Sequence, residues 1–298
     1  MKKTVITHFY NEEYLLPYWL EHHKSKFDHG IMINHGSNDK SLEIIKKIVP
    51  EWKIINSDLK NFDAYLTDFE VQKIEENITE WKICLNISEF LIGDLEKEIN
   101  SSDVKEIAIP AIIMTDIEYD KEINNNLLNE KPFGIEENQI SLLLFDFYQL
   151  FYKFKLFAFM KLVFQILFLK VSQLILGKTY IKYVKYYVKR ARLLHSQKIG
   201  QYSKGRHNWV FKSKKSKYLK ILWYNYSPYT YKMVQRKLDA KSRLPGLGNS
   251  KQEVQSLNEN YKYNDEAHIH KNQKLITSYY KFLNIFSAKA LYNFNNDK

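Results

Sequence analysis

The sequence predicts an α/β fold: a parallel or mixed sheet flanked by helices, joined to a helical, basic C-terminal half. Three observations predict it. Over the first 115 residues, short apolar runs alternate with longer amphipathic ones, the rhythm of strands joined by helices. Four of those short runs are apolar along most of their length, as strands covered on both faces must be. Only nine glycines and six prolines occur in 298 residues, so long regular elements and short loops are expected.

Taken in order, Lys3 to His8 reads as the first strand. Asn11 follows at a helix N-cap position, with Glu12 and Glu13 in the first turn where the helix dipole favours anions. Leu15, Leu16, Trp19, Leu20 and His23 then recur at helical spacing. Gly30 to Asn34 is the second strand, Ser41 to Ile48 the second helix and Trp52 to Asn56 the third strand. Trp81 to Asn86 and Glu106 to Met114 are the fourth and fifth strands. From Ser141 to Gly177 the chain becomes rich in Leu and Phe, interrupted by Lys153, Lys155, Lys161 and Lys170. Its charge-free runs fall short of the ~20 residues that span a bilayer. Two readings stand: a helix lying in a membrane interface with snorkelling lysines, or an apolar core or oligomer-interface helix. The basic, tyrosine-rich stretch Lys178 to Arg192 favours the first, and with it peripheral membrane contact through residues 141–192. The expected division is therefore 1–125 as an α/β part, 126–192 as an amphipathic and basic helical insert, and 193–298 as closing segments and tail.

Charge is split between the halves. Residues 1–140 carry 15 Lys and no Arg against 27 Asp and Glu, a net −12, whereas residues 141–298 carry +23. Such a split implies different partners for the two halves, the second of them anionic. A nucleic acid is not expected: no recognised binding motif appears, and the acidic half would repel a phosphate backbone. The single cysteine, Cys84, rules out a disulfide framework and fits a reducing cytoplasm. The apolar stretch near the N-terminus is too short for an export signal. A cytoplasmic location, peripheral on the inner membrane face, is the expectation.

Three segments carry chemistry. In ITHFYNEEYLLPYWLEHH a strand ends in polar residues and runs into a helix. Ligands of parallel sheets bind beyond the strands' carboxyl ends, which places Thr7, Asn11 and Glu12 at a crevice mouth. In INHGSNDKSLEII, Gly36 permits a turn, Ser37 and Asp39 offer acceptors, and a helix start presents unpaired N–H groups. In EWKICLNISEFLI, Asn86 and Ser88 end a strand pointing the same way. Oxygen ligands converging there suit a divalent cation carrying a diphosphate. Each segment also has a plain structural reading, as a capped helix start, a β–α turn and an ordinary strand end. Asp116 and Glu118, just after the fifth strand, are candidate general bases, although most carboxylates after strands are solvated loop residues. His22, His23, His29 and His35 lack the spacing of a zinc site.

These motifs, in this order and spacing, resemble the glycosyltransferase family-2-like group with the GT-A fold. The group's pattern runs NEE…L..WL..H, then D-N-G-S-x-D, then W….D-x-D-E-F. It reads here as Asn11-Glu12-Glu13 with Trp19-Leu20 and His23, then Asn34 to Asp39, then Trp81 with Asn86-Ile87-Ser88-Glu89-Phe90. The likeness covers residues 3–115 and, more weakly, Leu193 to Gly248. It implies a GT-A-type, Rossmann-like sheet, a nucleotide-diphospho-sugar donor, Mn²⁺ or Mg²⁺, and transfer to a hydroxyl of a glycan or lipid-linked acceptor. By position, Thr7, Asn11 and Glu12 would line the nucleotide pocket, and Ser37 with Asp39 would contact base or ribose. Asn86 and Ser88 stand where the group has the aspartates of D-x-D, and Asn34 replaces another Asp. Glu89 would supply the missing carboxylate, with His207 completing the metal shell or touching the diphosphate. Alternatively Lys204, Arg206 and His207 would meet the diphosphate without metal. A third alternative is a sugar-nucleotide-binding partner that has lost catalysis, and a fourth is a basic nucleic-acid- or membrane-binding protein.

Overall fold

The computed structural model describes residues 1–114, 134–136, 191–202, 204–206, 209–224 and 230–241. In chain order the elements are β1 (Lys3–Phe9), α1 (Leu16–His23), β2 (His29–Asn34), α2 (Ser41–Ile48), β3 (Lys53–Asn56), α3 (Ala64–Glu75), β4 (Trp81–Cys84), β5 (Glu89–Gly93) and α4 (Leu95–Asn100). There follow β6 (Glu106–Met114), β7 (Gly134–Glu136), β8 (Ala191–His195), a 3₁₀ turn (Lys204–Arg206), β9 (Lys214–Lys215), β10 (Leu219–Trp223) and α5 (Tyr231–Lys241). One mixed sheet runs β3-β2-β1-β4-β8-β6-β10-β5, with β7 and β9 also paired to β6. The first four strands of that order are parallel, while β8 runs antiparallel between β4 and β6. The α/β class and the helix-flanked mixed sheet agree with the sequence. Of the expected 126–192 insert, residues 126–133 and 137–190 lie outside the described residues, as does the tail beyond 241. Ala191 and Arg192, expected in the insert, open β8.

Alternation along the strands sends side chains to two cores. Val5, Phe9, Met32 and Ile83 pack with Leu16, Trp19, Leu20 and Ile45 beneath α1 and α2. Ile6, Ile33 and Cys84 pack on the other face with Val71 of α3. Both faces of the parallel part are therefore dry, and apolar burial drives the layering.

Helix α1 starts later than the sequence implied. Asn11 is no N-cap: it adopts the left-handed conformation at φ 50°, which asparagine tolerates, and the helix begins at Leu16 with Pro17 in its first turn. The reason lies in the loop, where the side chain of Asn11 bonds across to Asn38 instead of capping its own helix.

The Trp19, His22 and His23 face of α1 covers the edge strand β5. The Trp19 indole donates to the Glu89 carbonyl at 2.9 Å, His22 Nε2 donates to the Leu91 carbonyl at 2.6 Å, and Leu91 N–H donates to His23 Nε2 at 3.1 Å. His23 Nδ1 in turn donates to the Trp19 carbonyl at 2.8 Å. An edge that would otherwise present open backbone groups is thus closed by side chains. Burial holds both imidazoles neutral, His22 down to about 4 and His23 well below the usual histidine range.

Candidate functional site

The chain builds β2 and β3 to one side of β1 and then crosses to place β4 on the other. That reversal opens a crevice at the strands' carboxyl ends, the position where open α/β sheets take ligands. Phe9, Asn34 and Asn56 are level in register, so the loops after β1, β2 and β3 meet at one height.

The first two loops are zipped together. Asn11 N–H donates to Ser37 Oγ at 3.1 Å, Asn11 Nδ2 to Asn38 Oδ1 at 2.8 Å, and Asn38 N–H back to Asn11 Oδ1 at 3.0 Å. Glu12 N–H donates to Ser41 Oγ, Glu13 N–H to Asp39 Oδ2 and Lys40 N–H to Glu13 Oε2. The structure therefore brings Asn11, Glu12, Ser37 and Asp39 together, through bonds between the two loops in which Glu13, Asn38 and Ser41 also take part. Glu12 turns its carboxylate away, to Arg236 of α5, whose NH2 lies 2.7 Å from Oε1. Thr7 is fully buried, and its hydroxyl has no hydrogen-bond partner among the described residues.

Beside the zipper lies a cavity of about 390 Å³ lined by Tyr10, His35, Gly36, Ser57, Leu59, Lys60 and Asn61. Gly36 has φ 80°, and a Cβ there would meet nothing within 4 Å, so the turn is left-handed and open to the cavity. Asn34 supports this wall from below. Its Nδ2 donates to Asn56 Oδ1 at 3.1 Å and its Oδ1 accepts Ser37 N–H at 2.9 Å. An ionised aspartate accepts only, so the amide at this position performs a two-way bridge that a carboxylate cannot. On the far wall Ser57 donates to Glu70 at 2.9 Å, with His35 Nε2 3.9 Å from the same carboxylate. A second cavity, about 610 Å³, opens between the start of α1, α2 and α5, with Tyr14, Tyr18, Asp39, Lys40 and Gln235 in its wall.

Near the ends of β1 and β4 lies a buried ionic cluster that joins β8, β5, α3 and the 3₁₀ turn. Arg192 of β8 grips Glu89 with Nε at 2.8 and 3.0 Å and NH2 at 2.6 Å, and its NH1 donates to the Gly205 carbonyl at 2.7 Å. Arg206 pairs with Asp68 of α3, and Gly205 N–H donates to the same carboxylate at 2.6 Å. Arg206 NH2 also approaches His8 Nε2 at 2.6 Å and donates to Asn86 Oδ1 at 3.3 Å. The turn that delivers this guanidinium is left-handed twice over, Gly205 at φ 79° and Arg206 at φ 57°. Burial, then the charges of Arg206, His35 and Arg192, hold His8 well below the usual histidine range. Burial pushes the Asp68 carboxyl up, opposed by Arg206 and the Gly205 N–H.

Two of the residues expected to hold a metal, Asn86 and Glu89, are engaged in these same bonds. Asn86 and Ser88 do lie at the end of β4, Ser88 buried and Asn86 half-buried. Glu89, however, gives both oxygens to Arg192 and one also to Asn86 N–H at 2.8 Å, and the Asn86 side-chain oxygen faces the Arg206 guanidinium. These donors do not fit a divalent cation. Among the described residues no group of three His, Cys, Asp or Glu is arranged to hold one. His207, Asp116 and Glu118 lie outside the described residues.

Sequence reasoning passed over His8, Asp68 and Arg192, and the wall residues Tyr10, Ser57, Lys60 and Asn61. Helix α3 was missed altogether because its buried face, Thr67, Asp68, Val71 and Glu75, is mostly polar and shows no apolar periodicity. The usable signal was Asp63, whose carboxylate caps α3 by accepting from Tyr65 and Leu66 N–H.

No family model matches the chain, and no curated protein matches it. Among solved structures it is similar to S. aureus TarS 1-349, at 11% identity and TM-score 0.34, over 89% of this chain and 71% of that one. It is also similar to the glucosyl-3-phosphoglycerate synthase of Mycobacterium tuberculosis in complex with Mn²⁺, UDP and glucosyl-3-phosphoglycerate. That match has 10% identity and a TM-score of 0.29, and covers 38% of this chain and 44% of the synthase. A third is the 4-diphosphocytidyl-2C-methyl-D-erythritol synthase of Anaerococcus prevotii, at 16% identity and TM-score 0.27, over 42% of this chain and 61% of the other.

Proposed function

We propose that this chain is a GT-A-type glycosyltransferase that moves a sugar from a nucleotide-diphospho-sugar to a hydroxyl of a glycan or glycolipid, with inversion. The observation that carries the reading is the 390 Å³ cavity beyond the carboxyl ends of β1, β2 and β3. It is of a size for a nucleoside and lies where parallel sheets bind nucleotides. The motif order read from the sequence supports the same assignment.

In this reading Tyr10 offers a ring face to the base, and Ser57 and Asn61 offer polar atoms to its edge or to the ribose. Lys60 lies on the phosphate side, and the open turn at Gly36 lets backbone approach the ligand closely. For transfer, the acceptor oxygen attacks the anomeric carbon as the bond from that carbon to the diphosphate breaks. The acceptor's proton passes to a carboxylate, for which Asp116 and Glu118 are the candidates, and the nucleoside diphosphate leaves. Residues 141–190, with their lysine-punctuated apolar run, are the proposed contact with the membrane that bears a lipid-linked acceptor.

A thermal-shift titration with UDP, GDP and CMP tests the reading. One nucleotide should raise the melting temperature in proportion to the logarithm of its concentration, and Tyr10→Ala should weaken that response about tenfold, since aromatic–base stacking contributes about 1–3 kcal/mol. No response to any of the three would overturn the assignment. Saturable binding without sugar transfer would instead identify a sugar-nucleotide-binding partner, the reading favoured by the occupation of Glu89 by Arg192.

A further inference from the structure

The geometry points to a protein-built cation where a metal ion would otherwise stand: we propose that Arg206, fixed by Asp68, His8 and Asn86, makes nucleotide binding at this site independent of divalent cations. The inference rests on the nucleotide reading above and adds how the site is held together.

Three observations carry it. The guanidinium of Arg206 reaches the strand-end amide of Asn86 and the imidazole of His8, at 3.3 and 2.6 Å. It thus ties the loop after β4 to the end of β1 through a fixed positive charge. The tie is built into the fold. Arg206 is 3% exposed, its partner Asp68 is 4% exposed, and Asp68 anchors the turn a second time through Gly205 N–H at 2.6 Å. Finally, the carboxylate best placed to replace the missing aspartates is spent elsewhere. Glu89 accepts three hydrogen bonds from Arg192 and one from the backbone of Asn86, leaving no oxygen directed to the crevice for a hard ion.

The chemistry of the residues is consistent with this arrangement. Asparagine at position 86 accepts from the guanidinium without adding charge, so two guanidinium groups face two carboxylates, Asp68 and Glu89, and the buried cluster is balanced. A further carboxylate at position 86 would leave one buried negative charge unmatched unless a metal entered. His8, kept neutral by burial and by the neighbouring cations, adds none.

The test is isothermal titration of the full chain with UDP, once in EDTA and once in millimolar Mn²⁺. The dissociation constants should agree within about twofold. Binding at least tenfold weaker in EDTA would overturn the inference while leaving the nucleotide reading intact. Absence of UDP binding in both conditions, with GDP and CMP equally silent, would overturn the nucleotide reading and this inference with it. Asn86→Asp offers a second check, since the variant places a carboxylate beside Arg206. The added charge should draw in a metal, so that variant should bind UDP at least tenfold more tightly in Mn²⁺ than in EDTA, and metal-independent binding by the variant would count against the inference. A tenfold gain in affinity on adding Mn²⁺ to the wild type would count against it in the same way.

Discussion

Removing the Glu89 carboxylate should destabilise the whole fold, because its work is to neutralise Arg192. Both side chains are all but sealed from solvent, 2% and 4% exposed for Arg192 and Glu89. Arg192 makes three contacts to the carboxylate and one to the Gly205 carbonyl. In Glu89→Ala the guanidinium keeps only the Gly205 carbonyl, and a buried charge stripped of its partner costs about 3–5 kcal/mol. The Asn86 N–H, which donates to Glu89 at 2.8 Å, is orphaned as well, adding about 1 kcal/mol. At about 2–4 °C of melting temperature per kcal/mol, Glu89→Ala should melt at least about 8 °C below the wild type. The assay is a melting curve followed by circular dichroism for the wild type, Glu89→Ala, Arg192→Met and the double variant Glu89→Leu with Arg192→Met. The double variant should recover much of the loss, since exchange of a buried pair for apolar side chains is often neutral or favourable. If Glu89→Ala melted within about 2 °C of the wild type, the pair would not be structural, and Glu89 would be released to the metal role considered from the sequence.

Acid should weaken the α1–β5 seam. His22 is neutral in the fold with its pKa pulled down to about 4, by burial first and then Lys26, against the carbonyl of Leu91. The unfolded chain takes up the proton near pH 6.5. Stability from this group is thus complete above about pH 6.5 and lost as pH falls towards 4, by up to about 3 kcal/mol; melting temperatures measured across that window should fall, and His22→Gln should flatten the slope. Cys84 is buried and its thiol is pushed up to about 11, so a thiol reagent at pH 8 should label it only at the rate of unfolding; rapid labelling of native protein would contradict the burial. Gly93 holds φ 98°, and a Cβ there would stand 1.9 Å from the Tyr218 carbonyl oxygen, so Gly93→Ala should lose about 2–4 kcal/mol in chemical denaturation. Arg236→Ala should free the Glu12 carboxylate from α5 and lower the melting temperature by about 2–4 °C, as loss of a partly buried pair of about 1 kcal/mol does.

Much of the first 115 residues was legible in the sequence, because burial there follows simple periodicity. Strands β1, β2, β4 and β6 and helix α2 announce themselves as apolar runs or apolar stripes, a pattern that survives without knowledge of what covers them. The loops after β1 and β2 do follow the carboxyl ends of apolar strands, although Thr7, expected at the crevice mouth, is fully buried within β1. What the polar residues of these loops do could not be read. Asn11 bonds to Ser37 and Asn38, and Glu13 to Asp39, across two loops separated by some 26 positions, and no local pattern encodes such a pairing. Asn34 looked like a lost carboxylate, while in the fold its amide bridges Ser37 and Asn56. Glu89 looked available, and Arg192, 103 residues later, takes both its oxygens. Helix α3 and strand β8 were hidden for the same reason. Their inward faces carry Asp68, Glu75, Arg192 and His195, which are buried only because each finds a partner in a distant segment: Asp68 in Arg206, Arg192 in Glu89, and Glu75 and His195 in each other. Apolar burial is a property of one residue and its spacing, and sequence alone reports it. Burial of a charge is a property of a pair, and tertiary structure alone decided which pairs formed.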